Sequence, residues 1–559
     1  MSGTPFRTGR WADSLHAFCL AAAVLIGPGA LLLSGYDRWD GAEPRYIIES
    51  RHLDGLGPLL LDGAFVIFWA LTHAYARVLY WLGTDYWVTS RVLLAALLAG
   101  IGWQTGRLAM ELFGFDRRSA CWVAALCLAF PGQVLYHASC HLGYGLFTLL
   151  GLWGYRLALQ GGAARSAAGY ALALVAMQMN SNLVFLPMLE VVRWVLRGGA
   201  DRQGLRRFGV LLEIAVASYV CYRKVAGIHG QYALVAYNEL RWPTSPANAK
   251  RLLQALAAWS TWLLLPAAGV ALVLVLKALK VPVAGGSPGT PPAAPQRALA
   301  AALVLCAAAV AAYAAVGKYA AFIIPTALAP AGSVYASFMR EFGNGPFFSG
   351  LTPPPVRHTV LLGPSLAIAT VALCRWLSTR RALAGTAVAL LAACWLHQAG
   401  WSAWAHKEKL VQGALDVSVV NGLRAVQPPA AGTWVTLERH QRQKTWYDPL
   451  ETNMQLWDAF GSAAYMGATV YAPSGPSHEE AVRQRDSYRE LFARPDAQPY
   501  KDAYIASDFV DAGLHRYYVV EPAEPGWADL LWRAPFAPRN VAPARVTCTS
   551  GCQGDSSRL

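Results

Sequence analysis

Apolar residues run through this chain in blocks of about 20, the length that crosses a hydrocarbon core at 1.5 Å per residue. They predict membrane spans near residues 14–34, 88–111, 120–136, 143–160, 208–222, 253–276, 298–317, 358–374 and 383–400. The first reads as a retained anchor, because Gly35-Tyr36-Asp37-Arg38 follows it where a cleaved leader would carry a small-x-small site. The stretch 166–192 is apolar, flanked by Arg165 and Arg193, and broken by Asn180-Ser181-Asn182. Arginine at both ends predicts a segment that enters from the cytoplasmic side and returns to it. Each arm is short for a full span, so the reading is a hairpin of two short helices with Asn180 and Asn182 near its tip, where protein or water must cover the backbone. Residues 64–82 are apolar and aromatic but interrupted by His73 and Arg77. Counting them as a span would reverse everything downstream, so they read as an interfacial helix lying along the membrane.

From about residue 401 the pattern changes. Strand-like TWVTL, ATVYA and RYYVVEP alternate with a charged helical stretch over 479–491. The expected fold is mostly α: a polytopic helical membrane region over 1–400, with about 11 membrane helices including the hairpin, and an α/β extramembrane domain over 401–559. Residues 285–295 (GGSPGTPPAAP) read as a flexible cytoplasmic linker.

Composition agrees with this partition. Only 14% of residues are charged, 55% are hydrophobic and 21 are Trp, which excludes a mostly soluble chain. The net charge of +14 lies in turns between apolar blocks, without the dense basic runs of a nucleic-acid binder, so no nucleic-acid partner is expected. With the N-terminus inside, the expected cytoplasmic segments hold 16 Lys/Arg in 74 residues and the outer ones 12 in 146, the bias that the positive-inside rule requires. The tail then lies on the outer face. Eight of the ten cysteines are scattered singly and no CxxC or Cys/His ligand spacing occurs, which argues against structural zinc. Cys548 and Cys552 can close a small disulfide loop in an oxidising compartment.

Candidate chemistry concentrates at the outer face. The first outer loop carries Tyr36-Asp37-Arg38-Trp39-Asp40-Gly41-Ala42-Glu43-Pro44-Arg45-Tyr46, then Asp54 and Asp62. Carboxylates there can take a proton from an acceptor hydroxyl or hold a divalent cation through oxygen; a solvated loop with interfacial aromatics has the same composition. His137 and His141 stand four apart beside Cys140, a spacing usable for a metal, for phosphate contact, or for a plain hydrogen-bonded pair. Glu213 falls within an expected span, where it is either a buried structural acceptor or a pocket residue. Lys318, Arg340 and Arg357 on the outer side can meet an anionic headgroup or pyrophosphate, or serve as surface charge.

Together these features resemble the GT-C membrane glycosyltransferases, in particular the aminoarabinose-transferase and protein O-mannosyltransferase branch. Glu43-Pro44-Arg45-Tyr46 matches the Glu-x-Arg-Tyr part of that branch's motif after the first span. Residues 64–82, 88–118 and 166–192 resemble its aromatic juxtamembrane helix, its helix ending in a basic cytoplasmic turn, and its short hairpin. The likeness covers about 14–225 and is architectural beyond. Ala42 stands where the family's Asp precedes the Glu, so Asp40 would substitute. Leu61-Asp62-Gly63-Ala64 lacks the family's Lys-Pro start, and His141 or a neighbour replaces its second acidic residue. The resemblance implies an inverting hexosyl or pentosyl transferase of the inner (plasma) membrane and cell envelope, with a periplasmic C-terminal domain. Its donor would be a polyprenyl-phosphate-linked sugar reaching it through the membrane lipids, and its acceptor a lipid (giving a glycolipid), glycan or protein. Glu43 would be the base or metal-positioning residue, with Asp40 its partner. Arg45 would orient the carboxylate or phosphate. Tyr46, His141, Lys318 and Arg340 would bind substrate or phosphate, and Asp40, Glu43 and His137 would be the ligands of a possible divalent metal ion. The competing readings are a transporter, for which no inverted repeat is visible, a noncatalytic assembly subunit, or a lipid-linked glycan polymerase or ligase.

Overall fold

The computed structural model describes residues 10–35, 78, 81–82, 86–137, 141–228, 293–315, 360–379, 383–439, 449–461, 465–470 and 514–550. These are mostly helical, with one four-stranded sheet. Helix α1 (Arg10–Val24) runs on through a π-helical turn (Leu25–Gly29) containing Pro28 into a last turn, Ala30–Leu32. The missing N–H of Pro28 removes one ladder bond, and the wider turn absorbs the disruption. There follow α2 (Tyr86–Phe113), α3 (Arg117–Leu128), a 3-10 segment (Pro131–His137), α4 (Leu142–Gln160), α5 (Ala163–Ala176), α6 (Asn180–Arg197), α7 (Arg202–Ile228), α8 (Ala293–Ala315), α9 (Leu362–Ser378) and α10 (Ala384–Arg424).

By length and composition, three helices can cross a membrane: Ser14–Leu32, Trp87–Phe113 and Pro295–Ala312. The expected span 120–136 is not one straight helix. It breaks before Pro131, and its halves meet at 56°, forming a fourth span only if the bent pair is counted as one. Residues 163–176 and 362–378 are apolar but shorter. The expected spans 143–160, 208–222 and 383–400 also lie in helices, but not in ones that meet the same test. The expected span 253–276, the interfacial helix apart from its last few residues, and the charged stretch 479–491 fall outside the described residues.

Where the hairpin was expected, two helices, α5 and α6, are joined through residues 177–179; α5 packs chiefly on α4, and α6 on α8 and α7. Buried Asn182 closes the junction by donating to the Ala176 carbonyl (2.8 Å) and the Phe147 carbonyl (3.4 Å), which satisfies backbone acceptors that a helix end leaves open. Against α4, α5 packs backbone to backbone: a Cβ on Gly154 would stand 2.7 Å from the Gly169 carbonyl oxygen, and one on Gly169 would stand 2.6 Å from that of Gly154. Only two glycines permit that approach.

The turns expected on the cytoplasmic side carry ion networks. Glu190, fully buried, accepts from Arg207 (2.6 Å) and Arg193 (3.3 Å), with Tyr155 donating at 3.3 Å. Arg193 reaches on to Asp201 at 2.8 Å. Its bond and the Gly204 N–H hold the Asp201 carboxyl well below the usual range. Arg156 pairs with Glu111, and Arg375 bridges Asp116 (2.6 Å) and Ser119 (2.9 Å). Glu213 is exposed on α7, so it is not the buried acceptor that the sequence allowed.

The 400/401 boundary falls inside one helix. Helix α10 is 41 residues long and passes from the helical bundle into the sheet region without a break. Its first half packs Ala387, Leu391, Cys394, Trp395, Ala399 and Ala405 in the bundle core. Leu410, Ala414 and Val417 then meet Leu530, Ala534 and Val541, and Val419 and Leu423 enter the core beneath the sheet. Strands β1 (Thr433–Arg439), β2 (Tyr465–Val470), β3 (His515–Glu521) and β4 (Arg545–Ser550) take the order β2-β1-β3-β4. β1 pairs in parallel with both β2 and β3, while β4 closes the edge antiparallel to β3. Helix α11 (Pro449–Phe460) connects the parallel pair β1 and β2, as a crossover must. Cys548 is disulfide-bonded, and Cys552 lies outside the described residues.

Candidate functional site

Along α10, Trp395, Gln398, Ser402, His406, Lys409, Gln412 and Asp416 recur every three or four residues, and all are buried. That spacing draws one stripe down one helix face. Burying so polar a stripe costs free energy unless partners meet it. Where α10 crosses the 3-10 segment, the partner is His137: its Nε2 lies 2.8 Å from His406 Nδ1, one nitrogen donating and the other accepting according to tautomer. The rings are tilted, with centroids 5.0 Å apart. The bend before Pro131 turns the 3-10 segment so that it lies against α10.

Several atoms of this zone remain open. Gln133 Oε1, Trp395 Nε1, Gln398 Oε1, Ser402 Oγ, His406 Nε2 and Gln412 Nε2 are buried with no hydrogen-bond partner among the described residues. Lys409 Nζ donates to Gln412 Oε1 at 3.2 Å. Each open buried group costs about 1–3 kcal/mol, so such a concentration marks a place that a polar ligand or ordered water satisfies. Complete burial holds the His406 imidazole down at about 4, so at neutral pH it is an uncharged donor or acceptor beside the buried Lys409.

Below this zone the stripe ends in a charged network, in which Asn453 Nδ2 is likewise buried with no hydrogen-bond partner among the described residues. Asp416 Oδ1 accepts from Arg439 (3.0 Å) and from Gln455 (3.2 Å), Arg439 also reaches Gln455, and neither charged side chain is exposed. Asn453 Oδ1 accepts from the Gly467 N–H at 2.8 Å, and Glu438 accepts from Tyr517. This part is structural: its acceptors tie α10, β1, β2, β3 and α11 together.

Of the residues singled out in the sequence, His137 and His141 are both buried, and His137 meets the stripe at His406. They do not share one described helix. His137 closes the 3-10 segment, and His141 precedes α4 with its ring 5.6 Å from Tyr144. Asp37, Asp40, Glu43, Arg45, Tyr46, Asp54, Asp62, Lys318, Arg340 and Arg357 lie outside the described residues. So do two of the three expected metal ligands, while the third, His137, is engaged by His406. No group of three or more His, Cys, Asp or Glu that could hold a metal ion occurs among the described residues. Sequence reasoning missed Gln398, Ser402, His406, Lys409 and Gln412. Their three-and-four spacing was present, but a span ended at residue 400 hides it. No known family model, curated protein or solved structure matches this chain.

Proposed function

We propose that the chain is a membrane glycosyltransferase of GT-C type, moving a sugar from a polyprenyl-phosphate donor to a lipid, glycan or protein hydroxyl on the outer face. The observation that carries this reading is the buried, partly open polar stripe of α10 beside His137, a setting suited to sugar hydroxyls and a phosphate rather than to lipid tails. In this reading Glu43 takes the acceptor's hydroxyl proton. The oxygen bonds to the anomeric carbon as the bond from that carbon to the phosphate oxygen breaks, with inversion, and polyprenyl phosphate leaves. Arg45, Lys409 and His141 meet the charge that gathers on the departing phosphate. Gln398, Ser402 and the neutral His406 bind hydroxyls. The spans cross an inner membrane with the N-terminus cytoplasmic and the sheet region outside.

The test is release of free polyprenyl phosphate from lipid-linked sugars extracted with native membranes, using the full chain in proteoliposomes. Glu43→Gln should lower the rate about 10²- to 10⁴-fold, the loss of a general base. Lys409→Met should also lower it while the protein stays folded. Near-wild-type release in both variants overturns the reading and favours a transporter or noncatalytic subunit.

A further inference from the structure

Near the C-terminus, Trp527, Leu531, Trp532 and Phe536 are exposed, at 67%, 48%, 65% and 54%. Leu531, Trp532 and Phe536 sit on a short helical segment made of a π-helical turn (Asp529–Arg533) and a last turn (Ala534–Phe536), and Trp527 stands just before it. Its other side is buried: Leu530 and Ala534 pack on Leu410, Ala414 and Val417 of α10 and against Leu33. Asp529 braces the turn, accepting from the Gly526 N–H at 2.9 Å and from Arg533 at 3.1 Å. The Trp532 and Phe536 rings stand 5.4 Å apart. The segment is thus held rigidly with four large apolar side chains facing outward, an arrangement soluble surfaces avoid.

Its position is fixed relative to two candidate spans. Arg91, buried near the start of Trp87–Phe113, donates to the Ser34 carbonyl (2.6 Å), just past Ser14–Leu32, and to the Pro535 carbonyl (3.3 Å). Gly35 lies so close that a Cβ there would stand 2.9 Å from the Ala534 Cβ. The outward faces of both spans are apolar too, with Leu25, Leu32, Val88 and Val92 exposed. We infer that the face formed by Trp527, Leu531, Trp532 and Phe536 inserts into the headgroup–acyl boundary of the bilayer at the ends of these spans, anchoring the C-terminal region to the lipid surface. Trp and Phe are the side chains that level suits, and a segment of this kind buries about 5–10 Å into it. The inference rests on the spans crossing a membrane and is independent of glycosyl transfer.

The test places a nitroxide at Leu531→Cys, at Arg539→Cys and at Trp103→Cys, one at a time, in the full chain reconstituted into phosphatidylethanolamine/phosphatidylglycerol vesicles. The unsubstituted protein, labelled in parallel, supplies the background. Collisions with oxygen and with a water-soluble nickel chelate are then compared. The label at 531 should lose most nickel collisions relative to the exposed 539 and gain oxygen collisions, while 103, an exposed mid-helix site, should be more protected still. Nickel access at 531 equal to that at 539, with 103 protected, overturns the anchor alone. Nickel access at 103 overturns the membrane reading, and the anchor with it. Spectral broadening at 531 that disappears when the protein is diluted among vesicles identifies a second copy of the chain as the occupant and also overturns the anchor.

Discussion

Asp416 and Arg439 hold opposite charges where neither side chain is exposed. Removing one leaves the other buried without compensation, so Asp416→Ala should cost about 3–5 kcal/mol, read as a lowered unfolding midpoint in detergent. Replacing both, as Asp416→Leu with Arg439→Met, should recover most of that loss. His406 gives a pH signature of definite sign. Its imidazole is held at about 4 when folded, against roughly 6.5 in an unfolded chain. Above pH 6.5 both states are neutral and nothing is lost. As the pH falls toward 4, the unfolded chain takes a proton that the folded one refuses, removing up to about 3 kcal/mol of stability. His406→Gln should flatten that slope between pH 6.5 and 4, and an unchanged slope would assign it to other groups. His137 stood out in the sequence through its four-residue spacing to His141 beside Cys140. His406 did not, since the pairing joins residues 269 positions apart and no local spacing encodes such a contact. The carboxylates of the first outer loop stand on motif alone, their residues being outside those described.

Among the elements, the pair α5 and α6 was the most legible: asparagines in the middle of an apolar stretch predict a break, and the helices part there at 177–179. What the pattern did not disclose was the closeness of its packing, because glycine reads as a helix weakness until a neighbour's backbone is seen beside it. Gly154→Leu should therefore cost more than a surface change, about 1–3 kcal/mol from overpacking against Gly169, with a matching fall in the unfolding midpoint. The same substitution at Gly209, whose Cβ would meet nothing within 4 Å, should cost nothing of that kind. The bend before Pro131 and the run of α10 past residue 400 were missed for opposite reasons. In the first, unbroken apolarity concealed a proline stop. In the second, rising polarity imitated a helix end while the three-and-four period continued.

At the scale of the whole molecule, ion networks occupy the turns that join α2 to α3, α4 to α5 and α6 to α7, while the His137–His406 contact and the Arg91 bonds gather at the opposite helix ends. The pairings within each group needed the fold, since their partners lie on different elements. A membrane-impermeant thiol reagent should reach Arg117→Cys and Arg202→Cys from one side of sealed vesicles and Arg545→Cys from the other. Labelling of all three from the same side would refute the proposed topology. Helix α10 has a mechanical consequence. It is gripped by the bundle along its first half, held again at Leu410, Ala414 and Val417 by Leu530, Ala534 and Val541, and carries the sheet at its far end. Its 41 residues make a continuous rod of about 60 Å. A tilt of the helical region would therefore reorient the sheet with it, since no hinge between the two is there to absorb the motion.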